Sequence, residues 1–269
     1  MRPAVVGHST TLVGVPAGLI GSTAFNDYPV PLHINGTRET NGALFDMLRQ
    51  AETPAEAAQG FVSYMEAVFG LDPAQRVDPA GNGPRRFRSS YLRLLKGWGF
   101  DANGPEGALL KGWVESRFGL FPTFHKTRIE RFSSAAWIEY VQEKMSSRFH
   151  NNSINMQLDL LYEFCQWALA RFFSVGRRHV TLYRGTNDFS EHPLLERADR
   201  HSAVIRLSNL VSFTSDRERA GEFGDYVLEA RVPTPKIVFF NELLPRHPLR
   251  GEGEYLVIGG DYQVKMRYC

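Results

Sequence analysis

Near its C-terminus the chain runs Gly251-Glu252-Gly253-Glu254 into the apolar stretch Tyr255-Leu256-Val257-Ile258. The aromatic and β-branched residues of that stretch predict a buried strand. In an extended chain, residues two apart point to the same side. Glu252 and Glu254 are therefore expected to present two carboxylates on one face, at the mouth of a sheet. Like charges held so close repel, and a purely structural sheet edge gains little from them. The pair suits work on a positively charged reaction centre. An isolated E-x-E is more often a solvated acidic turn, so its meaning depends on what the rest of the chain supplies.

Two other polar stretches sit at predicted strand ends. In Tyr183-Arg184-Gly185-Thr186, the arginine fork can lie against a phosphate or carboxylate, and the glycine lets backbone approach a ligand. Taken alone, such an arginine is more often a surface ion-pair residue. In Val211-Ser212-Phe213-Thr214-Ser215-Asp216, the hydroxyls can cap a helix beginning near Asp216 or hold a neighbouring carboxylate. Capping suits Ser215. Ser212 lies earlier in the strand and needs another purpose.

Other chemistries find little support. The eight histidines are scattered without helical ligand spacing, and no metal is expected. There is no G-x-G-x-x-G after a strand and no Walker-type loop, so a dinucleotide would have to bind outside a Rossmann unit. The two cysteines, Cys165 in an apolar helical pattern and Cys269 at the last position, form neither a disulfide framework nor a metal site. With 31 Lys and Arg against 29 Asp and Glu, the balance is too even to point to nucleic acid. Apolar residues in Met1 to Ile20 are interrupted by Pro3, Gly7, Gly14, Pro16 and Gly18, unlike a signal peptide. No run approaches the ~20 apolar residues of a membrane span. These features predict a soluble protein, with the reducing cytoplasm as the default compartment.

The elements that must position these residues fall into two textures. Residues 1–36 carry enough apolar side chains to pack along the body of the protein. Asn41 to Gln50 predicts a short helix with Leu44, Phe45 and Leu48 on one side. Thr53-Pro54-Ala55-Glu56 is a capping box with proline at the first helical position, opening a helix to about Phe69 that Gly70 stops. A Pro/Gly/Arg loop spans residues 72–88. Its cluster Arg85, Arg86 and Arg88 is either solvated surface or a docking patch for an acidic partner. Short helices are expected over Tyr91 to Lys96 and Gly107 to Phe118, and another from Ser133 or Ser134 to about Phe149, with the apolar Ile138, Val141 and Met145 at helical spacing. A central buried helix follows from about Ser153 to Phe173. After Gly176 come strands: His179 to Tyr183, Ala203 to Phe213, Tyr226 to Val232, Ile237 to Phe240, Tyr255 to Ile258 and Tyr262 to Tyr268. One short helix intervenes near Asp216 to Phe223. Helices first and strands second predict an α+β protein with an antiparallel sheet. The expected division is a helix-rich part over residues 1–175 for partner and regulatory contacts and a β-rich catalytic part over 176–269, joined in one compact unit.

Taken in order, strand-end Arg184, the Ser212 cluster and the E-x-E before Tyr255 resemble the R-S-E signature of ADP-ribosyltransferases. More specifically, they resemble the toxin-like branch whose E-x-E variant modifies arginine. The stretch from Leu19 to Gly36 and the overall length resemble the NAD-dependent dinitrogenase-reductase ADP-ribosyltransferases of nitrogen-fixing bacteria, over nearly the whole chain. The resemblance implies NAD as substrate, bound by the β-rich part over 176–269, and an antiparallel β core of the ADP-ribosyltransferase type. It implies that Glu254 holds the ribose hydroxyl and stabilises an oxocarbenium-like centre, while Glu252 orients the incoming arginine and helps remove its proton. Ser212 would brace Glu254, with Thr214 as the alternative because Phe213 interrupts the family's usual Ser-Thr-Ser. Arg184, with Gly185 and Thr186 beside it, would hold an NAD phosphate. Phe213 or Phe240 would stack on nicotinamide. The implied acceptor is an arginine of the nitrogenase iron protein, with a PII-type nitrogen-signalling protein as activator and a separate glycohydrolase for reversal. The competing readings are an NAD glycohydrolase, a transferase with another protein acceptor, and a binding module for which NAD is a regulatory ligand.

Overall fold

The computed structural model describes residues 7, 8, 10–71, 90–145, 152–187, 192–245, 249 and 253–268. The cluster Arg85, Arg86 and Arg88, together with Glu252 and Cys269, lies outside them. The chain opens with the short helices α1 (Ala17–Ile20), α2 (Thr23–Asp27) and α3 (Thr37–Thr40), then α4 (Gly42–Arg49). Leu44, Phe45 and Leu48 of α4 are buried together, as their spacing requires. In α5 (Pro54–Phe69) the capping box forms: Thr53 Oγ1 accepts the Glu56 N–H at 3.2 Å, and Gly70 closes the helix at φ +59°. The Glu56 carboxylate reaches one residue further back than expected, accepting the Glu52 N–H at 2.9 Å.

Next come α6 (Tyr91–Phe100), α7 (Pro105–Phe118), the two-residue strands β1 (Phe124–His125) and β2 (Thr127–Arg128), and α8 (Ala135–Lys144). Ser134 caps α8, but its buried face differs from the expected one. Ile138 and Met145 are exposed, and Ala136 and Tyr140 point inward. The Tyr140 hydroxyl donates to Glu115 Oε2 of α7 at 2.7 Å, which lets the large ring be buried with its polar end satisfied. Periodicity alone could not choose between the two faces.

Helix α9 (Asn152–Ala168) continues as a π-helical turn, Leu169–Phe173, and is the buried centre of the helical part. It carries two buried carboxylates. Asp159 accepts from Trp113 Nε1 at 2.7 Å and Arg117 Nε at 2.8 Å. Glu163 accepts from the Ile34 N–H at 2.6 Å and Arg38 Nε at 2.5 Å, with His33 Nδ1 at 3.0 Å. Glu163 thus ties the leading segment to the centre, a purpose for that segment that its apolar content only hinted at.

The strands are β3 (His179–Thr186), β4 (Leu194–Arg197), β5 (Ser202–Thr214), β6 (Tyr226–Pro233), β7 (Ile237–Phe240) and β8 (Glu254–Tyr268), with α10 (Arg217–Gly221) after β5. They form one sheet in the order β4-β5-β3-β6-β8-β7, with β5 also pairing β8, and every pairing is antiparallel. The α+β expectation holds. Exposed β4 had no sequence signal. The two strands expected at the C-terminus are one: Gly259-Gly260 is a bend inside β8, not a turn. A Cβ on Gly259 would lie 1.7 Å from the Ser208 carbonyl oxygen, and Gly260 has φ +110° where Gly21 approaches. The bend lets β8 pair β7 with its first half and β6 with its second. A single core cluster contains Phe61, Trp113 and Leu158 from the helices and Leu182, Ile205 and Ile258 from the strands. No helix among the described residues is long and apolar enough to cross a membrane.

Candidate active site

The end of β5 meets the start of β8, with Ser212 opposite Leu256 and Thr214 opposite Glu254. Directly opposed residues share a face, and so do alternate residues, which puts Ser212, Thr214 and Glu254 on one side of the sheet. Ser212 Oγ donates to Glu254 Oε1 at 2.8 Å. Arg184 reaches the same strand from β3: its Nη1 donates to the Ser212 carbonyl at 2.9 Å, and its Nε donates to His192 Nε2 at 3.0 Å. A third element arrives from the helical part, where Trp98 Nε1 in α6 donates to Ser212 Oγ at 2.8 Å. Arg184, Ser212 and Glu254 are thus brought together. Trp98 and His192 join them without having been anticipated. Trp98 lies 114 positions from Ser212, and an indole carries no local sign of so distant a partner.

Within the hydroxyl cluster, Thr214 Oγ1 accepts the Asp216 N–H at 3.1 Å, and the Ser212 hydroxyl is bonded to Glu254. The cap of α10 is Asp216, whose carboxylate accepts the N–H groups of Glu218 and Arg219 at 2.9 and 3.3 Å. Ser215, expected as the cap, instead binds the chain before β8: its N–H donates to the Gly253 carbonyl at 3.0 Å.

The close approach at Gly185 is made by the protein itself. A Cβ there would lie 2.1 Å from the Ala220 carbonyl oxygen of α10 and 3.0 Å from Phe223. Thr186 is buried beside it, its backbone against Gly224.

Phe213 and Phe240 both pair with Tyr255 across the ladder and lie on the other side of the strands from Ser212. Both are buried; the Phe240 and Tyr255 rings stack at 5.4 Å. The structure does not bring either phenyl ring to the Ser212–Glu254 pair. Burial, with the charge of Glu242 second, pushes the Tyr255 hydroxyl up to about 12, so it stays protonated at neutral pH.

Strand β8 begins at Glu254, and Gly253 has φ +62°. The chain is not extended at Gly253, and the expected placement of Glu252 beside Glu254 falls outside the described residues. A Cβ on Gly253 would also lie 2.4 Å from Ser215 Oγ, which reserves the position for glycine. Among the described residues no group of three or more His, Cys, Asp or Glu side chains is placed to hold a metal.

An arginine, a serine and a glutamate from three strands of an antiparallel sheet are linked through Ser212, an arrangement that resembles the R-S-E type of site of ADP-ribosyltransferases. Residues 10–266 match the family model described as dinitrogenase reductase ADP-ribosyltransferase. The chain is 61% identical over 269 residues to a Rhodospirillum rubrum protein named NAD(+)--dinitrogen-reductase ADP-D-ribosyltransferase, covering 99% of this chain and 97% of that one. No solved structure matches the chain. The chain belongs to the dinitrogenase reductase ADP-ribosyltransferase family.

Proposed function

We propose that Glu254, held by Ser212, is the carboxylate at which this chain cleaves NAD, and that the ADP-ribose passes to an arginine of the nitrogenase iron protein. The reaction class comes from the family: the chain is an NAD-dependent ADP-ribosyltransferase of dinitrogenase reductase, which makes it a regulator of nitrogen fixation. The observation that carries the assignment to this site is the Ser212–Glu254 hydrogen bond, with Arg184 fixing the strand that bears Ser212. NAD supplies a glycosidic bond whose breaking leaves positive charge on the ribose. A carboxylate already oriented in the folded protein stabilises that charge without reorganising. Arg184 is the proposed holder of an NAD phosphate, beyond its contacts to Ser212 and His192.

Glu252 is proposed to orient the acceptor guanidinium and help remove its proton, since a protonated guanidinium is a poor nucleophile. The product carries a bulky dianionic group, which on a docking surface would block electron transfer from the iron protein. Activation by a PII-type protein and reversal by a separate glycohydrolase rest on the family resemblance alone. The use of Arg85, Arg86 and Arg88 and the rest of the helix-rich part for partner contacts is proposed from the charge and surface texture of the sequence. The proposed compartment is the cytoplasm.

The test is incubation with labelled NAD and nitrogenase iron protein, followed by mass mapping of the modified residue. Glu254→Gln is expected to lower both nicotinamide release and transfer by about a hundredfold or more. Glu252→Gln is expected to lose transfer while nicotinamide release continues. Unchanged transfer by Glu252→Gln would overturn the division of roles. Nicotinamide release that never marks the iron protein would point to a glycohydrolase, and no release with acceptor present would leave only NAD binding.

A further inference from the structure

Trp98 is buried in α6, and its indole N–H ends on the Ser212 hydroxyl at 2.8 Å. An indole nitrogen can only donate a hydrogen bond, and a carboxylate can only accept one. Ser212 has a single proton to give. With Trp98 occupying one oxygen lone pair, that proton is directed to Glu254 Oε1, 2.8 Å away. Glu254 is the first residue of β8 and follows the left-handed Gly253, so its side chain stands where the ladder begins.

The indole is itself held in a rigid frame. The Lys111 ammonium lies 5.9 Å from the centre of its ring. Lys111 is buried, and its Nζ donates to Asn103 Oδ1 at 2.9 Å and to the Phe124 carbonyl at 3.0 Å. One residue before Trp98, Gly97 packs so tightly on Glu106 of α7 that a Cβ would fall 2.5 Å from its side chain. The packing of α6 against α7 thus carries the N–H to the end of β5.

We propose that Trp98 is a positioning residue for NAD cleavage: it sets the rotation of the Ser212 hydroxyl so that Ser212 holds Glu254 in its reacting orientation. This rests on the reading of Glu254 as the reacting carboxylate. A merely structural indole would need an acceptor only to satisfy its own buried N–H, and losing it would lower stability without acting through Ser212.

The experiment compares Trp98→Phe, Ser212→Ala and the double variant in the full chain, reading nicotinamide release and thermal midpoint. Trp98→Phe is expected to lower kcat about tenfold, the worth of one hydrogen bond, with KM for NAD changed less than about twofold. In the Ser212→Ala background the same substitution is expected to cost no further activity, because its effect passes through the missing hydroxyl. Additive losses in the double variant would overturn the proposal. So would wild-type activity of Trp98→Phe. If Trp98→Phe fails to fold, 3-benzothienylalanine at position 98 keeps the indole's shape without the N–H, and its kcat decides the matter in the same way. Failure of the underlying reading has a different mark: Glu254→Gln would then still release nicotinamide.

Discussion

Ser212 Oγ and Glu254 Oε1 stand 2.8 Å apart although 42 positions separate the two residues. The contact exists because β5 and β8 are antiparallel neighbours with Thr214 opposite Glu254, which sets Ser212 one alternate position along the same face. A register shift between Leu207 and Leu210 absorbs the bend at Gly259-Gly260 and leaves this end of the pair aligned. The site is therefore sensitive to whatever fixes the two strand ends.

Arg184 fixes one of them, using two separate nitrogens for the Ser212 carbonyl and His192. Lysine keeps the charge but not the fork. Arg184→Lys is expected to lower kcat for nicotinamide release about tenfold or more and to raise KM for NAD, both read from steady-state kinetics. A fall in kcat with KM unchanged would confine Arg184 to holding Ser212 and remove its proposed phosphate contact.

Gly253 fixes the other. Its φ of +62° and the 2.4 Å approach of Ser215 Oγ to a would-be Cβ both oppose a side chain. Gly253→Ala is expected to destabilise by about 1–2 kcal/mol and to reduce activity further than that loss of folded protein explains, because Glu254 follows directly. Calorimetry and turnover on the same sample separate the two effects.

Glu163 is fully buried and serves the Ile34 N–H, Arg38 and His33 at once. Glu163→Gln leaves these groups poorly matched, although Arg38 and His33 can still reach water. The expected cost is about 2–3 kcal/mol, visible as a lower Tm. An unchanged Tm would mean that the leading segment is held by its apolar contacts alone.

Lys236 is buried with its ammonium 3.2 Å from the Gly259 carbonyl and over the rings of Tyr262 and Phe25, at 4.7 and 5.5 Å. Burial pushes its pKa down from 10.5 to about 7, against the pull of Asp261. From about pH 7 to its unfolded value of about 10.4, the unfolded chain binds the extra proton, so this group makes stability rise with pH. Lys236→Met lacks that contribution. The Tm of the natural chain relative to the variant is expected to increase from pH 7 to pH 9.5 in matched ionic strength; a constant difference would contradict the assignment.

The sequence by itself determined the features whose causes lie within a few residues. The Thr53–Glu56 cap, the stop at Gly70 and the buried face of α4 depend on contacts no further than one helical turn. Arg184, Ser212 and Glu254 were legible as types at strand ends, and the order of helices before strands gave the α+β class. Tertiary structure decided everything that rests on register and on the approach of distant elements. It brought the Ser212 hydroxyl to Glu254, turned Phe213 and Phe240 to the other side, put Ala220 against Gly185, and made Gly259-Gly260 a bend within one strand. It also delivered Trp98 to Ser212 across 114 positions. A hydrogen bond of that kind has no local propensity behind it; it forms only where the packing of α6, α7 and β5 brings donor and acceptor together.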